Sequence, residues 1–205
     1  MTPQEAYRIA FVAHGAVGQM RADGVTRYIE HPCRVAQLVD EFLRAPDAGG
    51  RVVTISSADD CRVAAYLHDV LEDTKLRADD LRSLGITETQ LDIVLRLTKP
   101  DDGPAPAAYY AGIAQSDAAL VVKCADRASN LEDALAELLA EEPKAPGRWA
   151  RYVEKTARDL IPLYASWPVL QRELASRLAK IEEALPGAFE RRAAVVARER
   201  ADAGL

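Results

Sequence analysis

The chain predicts an all-α fold in a single domain, on three observations. Helix-capping patterns and prolines suited to a first helical turn recur along its length. Stretches rich in proline and glycine separate the helical segments. The one strand-like stretch, "RVVTIS" (51–56), has no evident partner strand. At 205 residues and 49% hydrophobic, the chain is long enough for one well-cored domain, with two possible but not required.

The elements follow in order. Thr2-Pro3-Gln4-Glu5 reads as a capping box with proline at the first helical position, opening a helix through about Met20. Residues 21–30 form a loop leading to His31-Pro32, and Pro32 suits the first turn of a second helix running to about Arg44. A Gly-rich connection follows over 45–60, where Ser56 and Ser57 precede Asp59 and Asp60 at capping-box spacing. A third helix is expected from Ala58 to about Glu72. Shorter helices are expected over 78–84 and 87–97, the second opened by Thr87 with Gln90 three positions on. "KPDDGPAPA" (99–107) is a break, followed by helices over 106–115 and 118–141. After a second break at "EEPKAPG" (141–147), a helical tail runs from Arg148, interrupted by Pro162 and Pro168. Residues 1–165 are read as the domain, and 166–205 as a C-terminal helical extension packed on it or continuing it.

Charge and cysteine usage narrow the function classes. The net charge is −6 and the pI about 5.2, which argues against broad binding to nucleic acid or to an anionic membrane. A small anionic substrate held by a few local Arg and Lys side chains stays compatible with that balance. Cys33, Cys61 and Cys124 are odd in number and in no CxxC arrangement, so a disulfide framework is not expected and a reduced, cytoplasmic setting fits. Neither a signal peptide nor an apolar membrane span is read from the sequence.

The stretch "AAYLHDVLEDT" (64–74) carries the chemical question. It crowds His68, Asp69, Glu72 and Asp73 beside an apolar run, where like charges repel and buried acids are costly unless paired or metal-bound. On a continuous helix the i, i+3 and i+4 spacings turn all four toward one sector at the C-terminal end, where the helix dipole disfavours acids. Two readings remain open from this stretch alone: a solvated helix end, or a divalent cation that offsets the charge and takes His and Asp as ligands. "YIEHPCRVA" adds His31 at the start of another helix, and "VVKCADRASNL" adds Asp126 within an apolar stretch.

The order H…HD…D is the pattern of the HD-domain metal-dependent phosphohydrolases. With its flanks, "GQMRADGVTRYIEHPCRVA", "AAYLHDVLEDT", "RLTK" and "VVKCADRASNL", the chain resembles the hydrolase domain of the RelA/SpoT alarmone enzymes. Within that group it is most similar to the small stand-alone alarmone hydrolases of the metazoan SpoT homologue type, over about Gln4 to Tyr164. The resemblance implies an HD-domain helical bundle with one Mn²⁺ per chain, held by His31, His68, Asp69 and Asp126. Two imidazoles and two carboxylates suit a borderline divalent ion with positions left for water and a phosphate oxygen. Glu72 and Asp73 match the family's acidic pair, which would orient and deprotonate the attacking water and return a proton to the leaving oxygen.

The resemblance also implies substrate contacts. Arg21 aligns with an arginine that stacks on the purine base, and Asn130 with an asparagine near the sugar and phosphates. Arg148 and Tyr152 keep the spacing of an Arg–Tyr pair that reaches the nucleotide, and Lys99 resembles a lysine near the phosphates. Lys123 reads either as a snorkelling residue or as part of the site, Arg127 as a structural partner of a nearby acid, and His14 as a polar packing residue. Departures from the family pattern are Ala22, Arg27, Glu132-Asp133 and a longer His31-to-His68 connection. All lie where base or phosphate recognition is tuned. The expected activity is Mn²⁺-dependent removal of the 3′-pyrophosphate from guanosine tetra- or pentaphosphate. Alternatives are another nucleotide, such as an adenosine alarmone, NADPH or a nucleoside phosphate, or a non-catalytic nucleotide sensor.

Overall fold

The computed structural model describes residues 1–45, 57–100 and 107–204, and among these the protein is helical with no strand. Helix α1 (Pro3–Ala16) opens on the expected capping box: Thr2 Oγ1 accepts from the Glu5 amide, and Glu5 accepts from the Thr2 amide. It ends a turn earlier than Met20 because Gly18 turns the chain with a φ of +66°, a left-handed conformation that glycine adopts without strain. Met20 instead forms an isolated antiparallel bridge with Arg27.

Helix α2 (Glu30–Arg44) has Pro32 in its first turn, where the missing amide costs no hydrogen bond. Helix α3 (Ala58–Leu67) is capped by Ser57, whose side chain accepts from the Asp60 amide. The strand-like 51–56 stretch, Ser56, the 45–56 connection beyond Ala45 and most of the 99–107 break lie outside the described residues. The third helix departs from expectation at its end. It stops at Leu67, and after a turn at His68-Asp69 a short α4 (Val70–Asp73) follows. One continuous helical face therefore does not unite the four polar residues.

Helices α5 (Ala78–Ser83) and α6 (Glu88–Leu97) lie close to their expected spans, and Thr87 and Gln90 cap the latter reciprocally. Helix α7 (Ala107–Ala114) leads to α8 (Asp117–Leu139), the spine of the molecule. Helix α8 packs against α2, α3, α6, α7 and the last helix, and its residues are buried nearly all round from Ala119 to Leu131. A helix buried on nearly every side needs neighbours all round it, which places α8 at the centre.

Helix α9 (Pro146–Lys155) passes into one π-helical turn (Thr156–Leu160) and a 3₁₀ turn (Ile161–Tyr164). Pro162 explains this irregularity, since its ring cannot donate and would clash with the carbonyl four residues back. Pro168 takes the first position of α10 (Pro168–Asp202), which runs through Pro186 and packs along α8 by Leu170, Leu174, Leu178 and Ile181. Among the described residues, no helix is long and apolar enough to cross a membrane.

Candidate metal centre

Three elements bring the polar residues together: the first turn of α2, the turn between α3 and α4, and the middle of α8. His31 and His68 are almost fully buried, with ring centroids 5.2 Å apart. His31 Nε2 lies 3.3 Å from Asp126 Oδ1 and 3.7 Å from Asp69 Oδ2. His68 Nε2 lies 2.9 Å from Asp69 Oδ2 and 3.8 Å from Asp126 Oδ1. One ligand atom each from His31, His68 and Asp69 falls within a 4.8 Å span. Asp126 is not part of that mutually close group, yet its Oδ1 approaches both imidazoles from the α8 side.

Local chemistry explains the orientation of each group. The Ala65 carbonyl at the end of α3 has lost its intrahelical partner, and His68 Nδ1 bonds to it at 2.8 Å. A carbonyl only accepts, so Nδ1 carries the proton and Nε2 presents a lone pair. That Nε2 is buried and has no aligned hydrogen-bond partner, although Asp69 Oδ2 is close. Two acceptor-type atoms converging without a bond between them is what a cation between them would satisfy. The donor set fits a divalent metal.

On α8, the i−3, i+3 and i+4 neighbours of Asp126 all serve the cluster. Lys123 Nζ donates to Asp126 Oδ2 at 2.8 Å, and Asn130 Nδ2 donates to Asp126 Oδ1 at 2.7 Å. Ser129 Oγ meets His31 Nδ1 at 3.0 Å. Tyr28 donates its hydroxyl to Asp69 Oδ2. The electrostatics follow. Burial alone would raise Asp126, but Lys123 and His31 hold its carboxyl well below the usual range. Burial lowers His31, keeping it neutral. Burial opposes the charge on His68 too, yet Asp69 and Asp126 overcome it and raise its pKa to about 9.

Glu72 and Asp73 lie one turn further, more open to solvent. Glu72 Oε1 accepts from the Lys99 amide at 2.6 Å, and partial burial raises its pKa despite that bond. Asp73 Oδ2 accepts from Gln19 Nε2 at 2.8 Å. Both acids lie on α4, where adjacent residues point about 100° apart, and so they meet different partners.

The other expected contact residues are distributed around this cluster. Arg21 forms an ion pair with Asp133, near the face of Tyr28. Arg148 lies over the Trp149 ring, 4.1 Å from its centroid. Arg21, Asp133, Arg148 and Trp149 line a cavity of about 650 Å³ that His31 also borders, a volume in the range of small-molecule sites. Tyr152 is covered by the Arg127 guanidinium at 4.1 Å and borders Trp149 edge-on, and burial raises its pKa to about 12. Lys99 reaches the site through its amide, and Asn130 is committed to Asp126. Arg127 bonds Thr156 Oγ1 at 2.9 Å rather than an acid. No sequence pattern singles out Gln19, Tyr28 or Ser129. Tyr28 and Gln19 sit in the quoted flank of His31, and Ser129 is one turn from Asp126.

The model of the family described as "HD domain" matches residues 28–131, half of the chain and the span that holds all four clustered residues. Among solved structures, the fold is similar to one described as a metazoan ortholog of SpoT that hydrolyses ppGpp and plays a role in starvation responses. That match has a TM-score of 0.56 at 20% identity and covers 93% of this chain and 94% of the other. At that identity it establishes likeness of fold, across the C-terminal helix as well as the matched span. The chain belongs to the HD domain family.

Proposed function

We propose that this protein is a Mn²⁺-dependent hydrolase that removes the 3′-pyrophosphate from guanosine tetra- or pentaphosphate, leaving GDP or GTP and pyrophosphate. The observation that carries the reading is the convergence of His31, His68, Asp69 and Asp126 beside two acids and a cavity bordered by Arg21 and Arg148. A divalent ion held by these four groups supplies Lewis acidity and a nucleophile at neutral pH. Glu72, with its raised pKa, is suited to exchange a proton with the leaving oxygen, and Asp73 to orient the attacking water. Lys123 keeps Asp126 ionised, so that α8 presents a carboxylate rather than an acid. Arg21 and Arg148 supply stacking surface and positive charge, Lys99 charge near the phosphates, and Tyr152 and Asn130 the frame around the nucleoside. The substrate is a small anionic nucleotide, not nucleic acid or membrane, and the free Cys33, Cys61 and Cys124 suit a cytoplasmic setting.

A second reading keeps the chemistry and changes the nucleotide. It is favoured by Asp133, a carboxylate that lines the cavity and ties up Arg21. The test is a product screen with Mn²⁺-loaded protein over guanosine tetraphosphate, adenosine tetraphosphate and NADPH. Release of GDP and pyrophosphate from the first is expected. If it stays intact while another nucleotide is consumed, the metal chemistry stands and the guanosine assignment falls.

A further inference from the structure

We propose that His14 and Gln19 are positioning residues that hold the Asp73 carboxylate for catalysis, an inference that rests on the catalytic reading of Asp73 above. Gln19 is itself fixed by the turn after α1. Its amide donates to the His14 carbonyl at 3.0 Å, and its carbonyl accepts from the Tyr28 amide at 3.3 Å. Its side chain bridges two groups, with Oε1 2.6 Å from His14 Nδ1 and Nε2 2.8 Å from Asp73 Oδ2.

The polarity of this bridge has one solution. A carboxylate only accepts, so the amide NH₂ must face Asp73 and the amide oxygen must face His14. His14 then carries its proton on Nδ1 and leaves a lone pair on Nε2. That Nε2 is buried and has no partner among the described residues, and His14 as a whole is 1% exposed. An orphaned buried nitrogen is destabilising, and an apolar side chain in the same space would avoid that penalty. A residue present for packing alone gains nothing from that cost. The polar contact it obtains in return is the one that sets the direction of Gln19.

The same histidine braces the neighbouring acid. Its ring packs on Tyr28 with centroids 4.8 Å apart, and the Tyr28 hydroxyl donates to Asp69. His14 therefore stands behind both Asp69 and Asp73, one through an aromatic contact and the other through an amide. With Oδ2 of Asp73 held by Gln19, rotation of the carboxyl is restricted and the other oxygen is directed to the reacting water. The relay acts on orientation, so its loss is expected in kcat and not in metal content or KM.

The test compares variants of the Mn²⁺-loaded full chain on the nucleotide consumed in the product screen. Gln19→Ala is expected to lower kcat roughly 10- to 100-fold, the scale of lost outer-shell partners, with metal content and KM unchanged. In an Asp73→Asn background, the same change is expected to add less than about twofold, because both act through one carboxylate. His14→Asn places an amide donor near the position of Nδ1 and is expected to keep most of the activity, whereas His14→Phe is expected to match Gln19→Ala. Gln19→Ala at wild-type kcat, a full multiplicative loss in the Asp73→Asn background, or His14→Asn as slow as His14→Phe overturns the positioning role. Full activity in Asp73→Asn instead overturns the catalytic reading of Asp73, and the proposal with it. Gln19 is half-buried at a helix end, so its variants keep the test available if the His14 variants fail to fold.

Discussion

Glu72 and Asp73 separate two residue-scale explanations of the same acidic stretch. As a solvated helix end they would be dispensable; as an acid–base pair beside a metal they are not. Glu72→Gln and Asp73→Asn are therefore expected to retain metal and to lose about 10²- to 10⁴-fold in kcat, measured against metal content in the same preparations. His68→Ala and Asp126→Ala are expected to lose metal and turnover together. Arg21 gives a finer prediction, because its partner Asp133 must release it before it can stack on a base. Arg21 is mostly buried but Asp133 is solvent-exposed, and such a pair contributes about 0.2–1 kcal/mol, so Asp133→Asn is expected to lower KM by up to roughly fivefold, and Arg21→Ala to raise it with kcat little changed. At this scale the clustered His31, His68, Asp69 and Asp126 were legible because H…HD…D is a pattern of residue types along the chain. Gln19, Tyr28 and Ser129 were not, because they reach the site across separations of 54, 41 and 98 residues, which local patterning does not encode.

The break between α3 and α4 shows what periodicity misses in an element. The apolar residues Leu67, Val70 and Leu71 continue a helical pattern through it, so nothing in their spacing marks the end. Asp69, with φ −101° and ψ −4°, opens the ladder by one turn, and His68 takes over the freed Ala65 carbonyl. Caps were more legible, since a capping box is a three-residue rule that local sequence satisfies by itself. Glu132, one of the departures from the family pattern, acquires a role only in three dimensions. It accepts from Arg34 of α2 at 2.8 and 3.0 Å and from Arg177 of α10 at 3.0 and 3.3 Å, joining three helices. Burial would raise its carboxyl, and the two guanidiniums more than reverse that, so its folded pKa lies below the ordinary 4.5. The contribution is thus complete above the unfolded value and is lost as pH falls through the folded one. Glu132→Gln is expected to lose about 1.5–3 kcal/mol at neutral pH, towards the lower end because the carboxylate keeps a third of its exposure. Urea unfolding of both proteins should show that gap closing below about pH 4; a gap that persists in acid removes the charge from the explanation.

For the whole molecule, the all-α single domain was legible because capped helices with no partnered strand leave few other architectures. The packing of the last helix was not, since an Arg/Ala-rich tail reads equally as a frayed end. Its first half is integral: Leu170, Leu174, Leu178 and Ile181 cover α8, each contributing about 1.5–3 kcal/mol, together comparable to the stability of a domain. Past Ala188 no residue of α10 is buried. A chain ended after Arg192 is expected to stay folded within a few degrees of the full-length Tm, and one ended after Trp167 to be recovered insoluble. A metal held at the candidate centre would tie the same architecture together differently. Its groups come from α2, from the turn after α3 and from α8, so unfolding disperses all of them and a bound ion favours the folded chain alone. An ion present at 100 times its Kd adds about 2.7 kcal/mol. For a chain of this length each kcal/mol moves Tm by about 2–4 °C, so chelation is expected to lower Tm by about 5–11 °C, with Mn²⁺ restoring it. His68→Ala should melt at one temperature with or without Mn²⁺, because the site that links ion to fold is gone. A variant lacking both His68 and Asp126 that still gains stability from Mn²⁺ would place the ion elsewhere in the molecule and withdraw the ligand assignment.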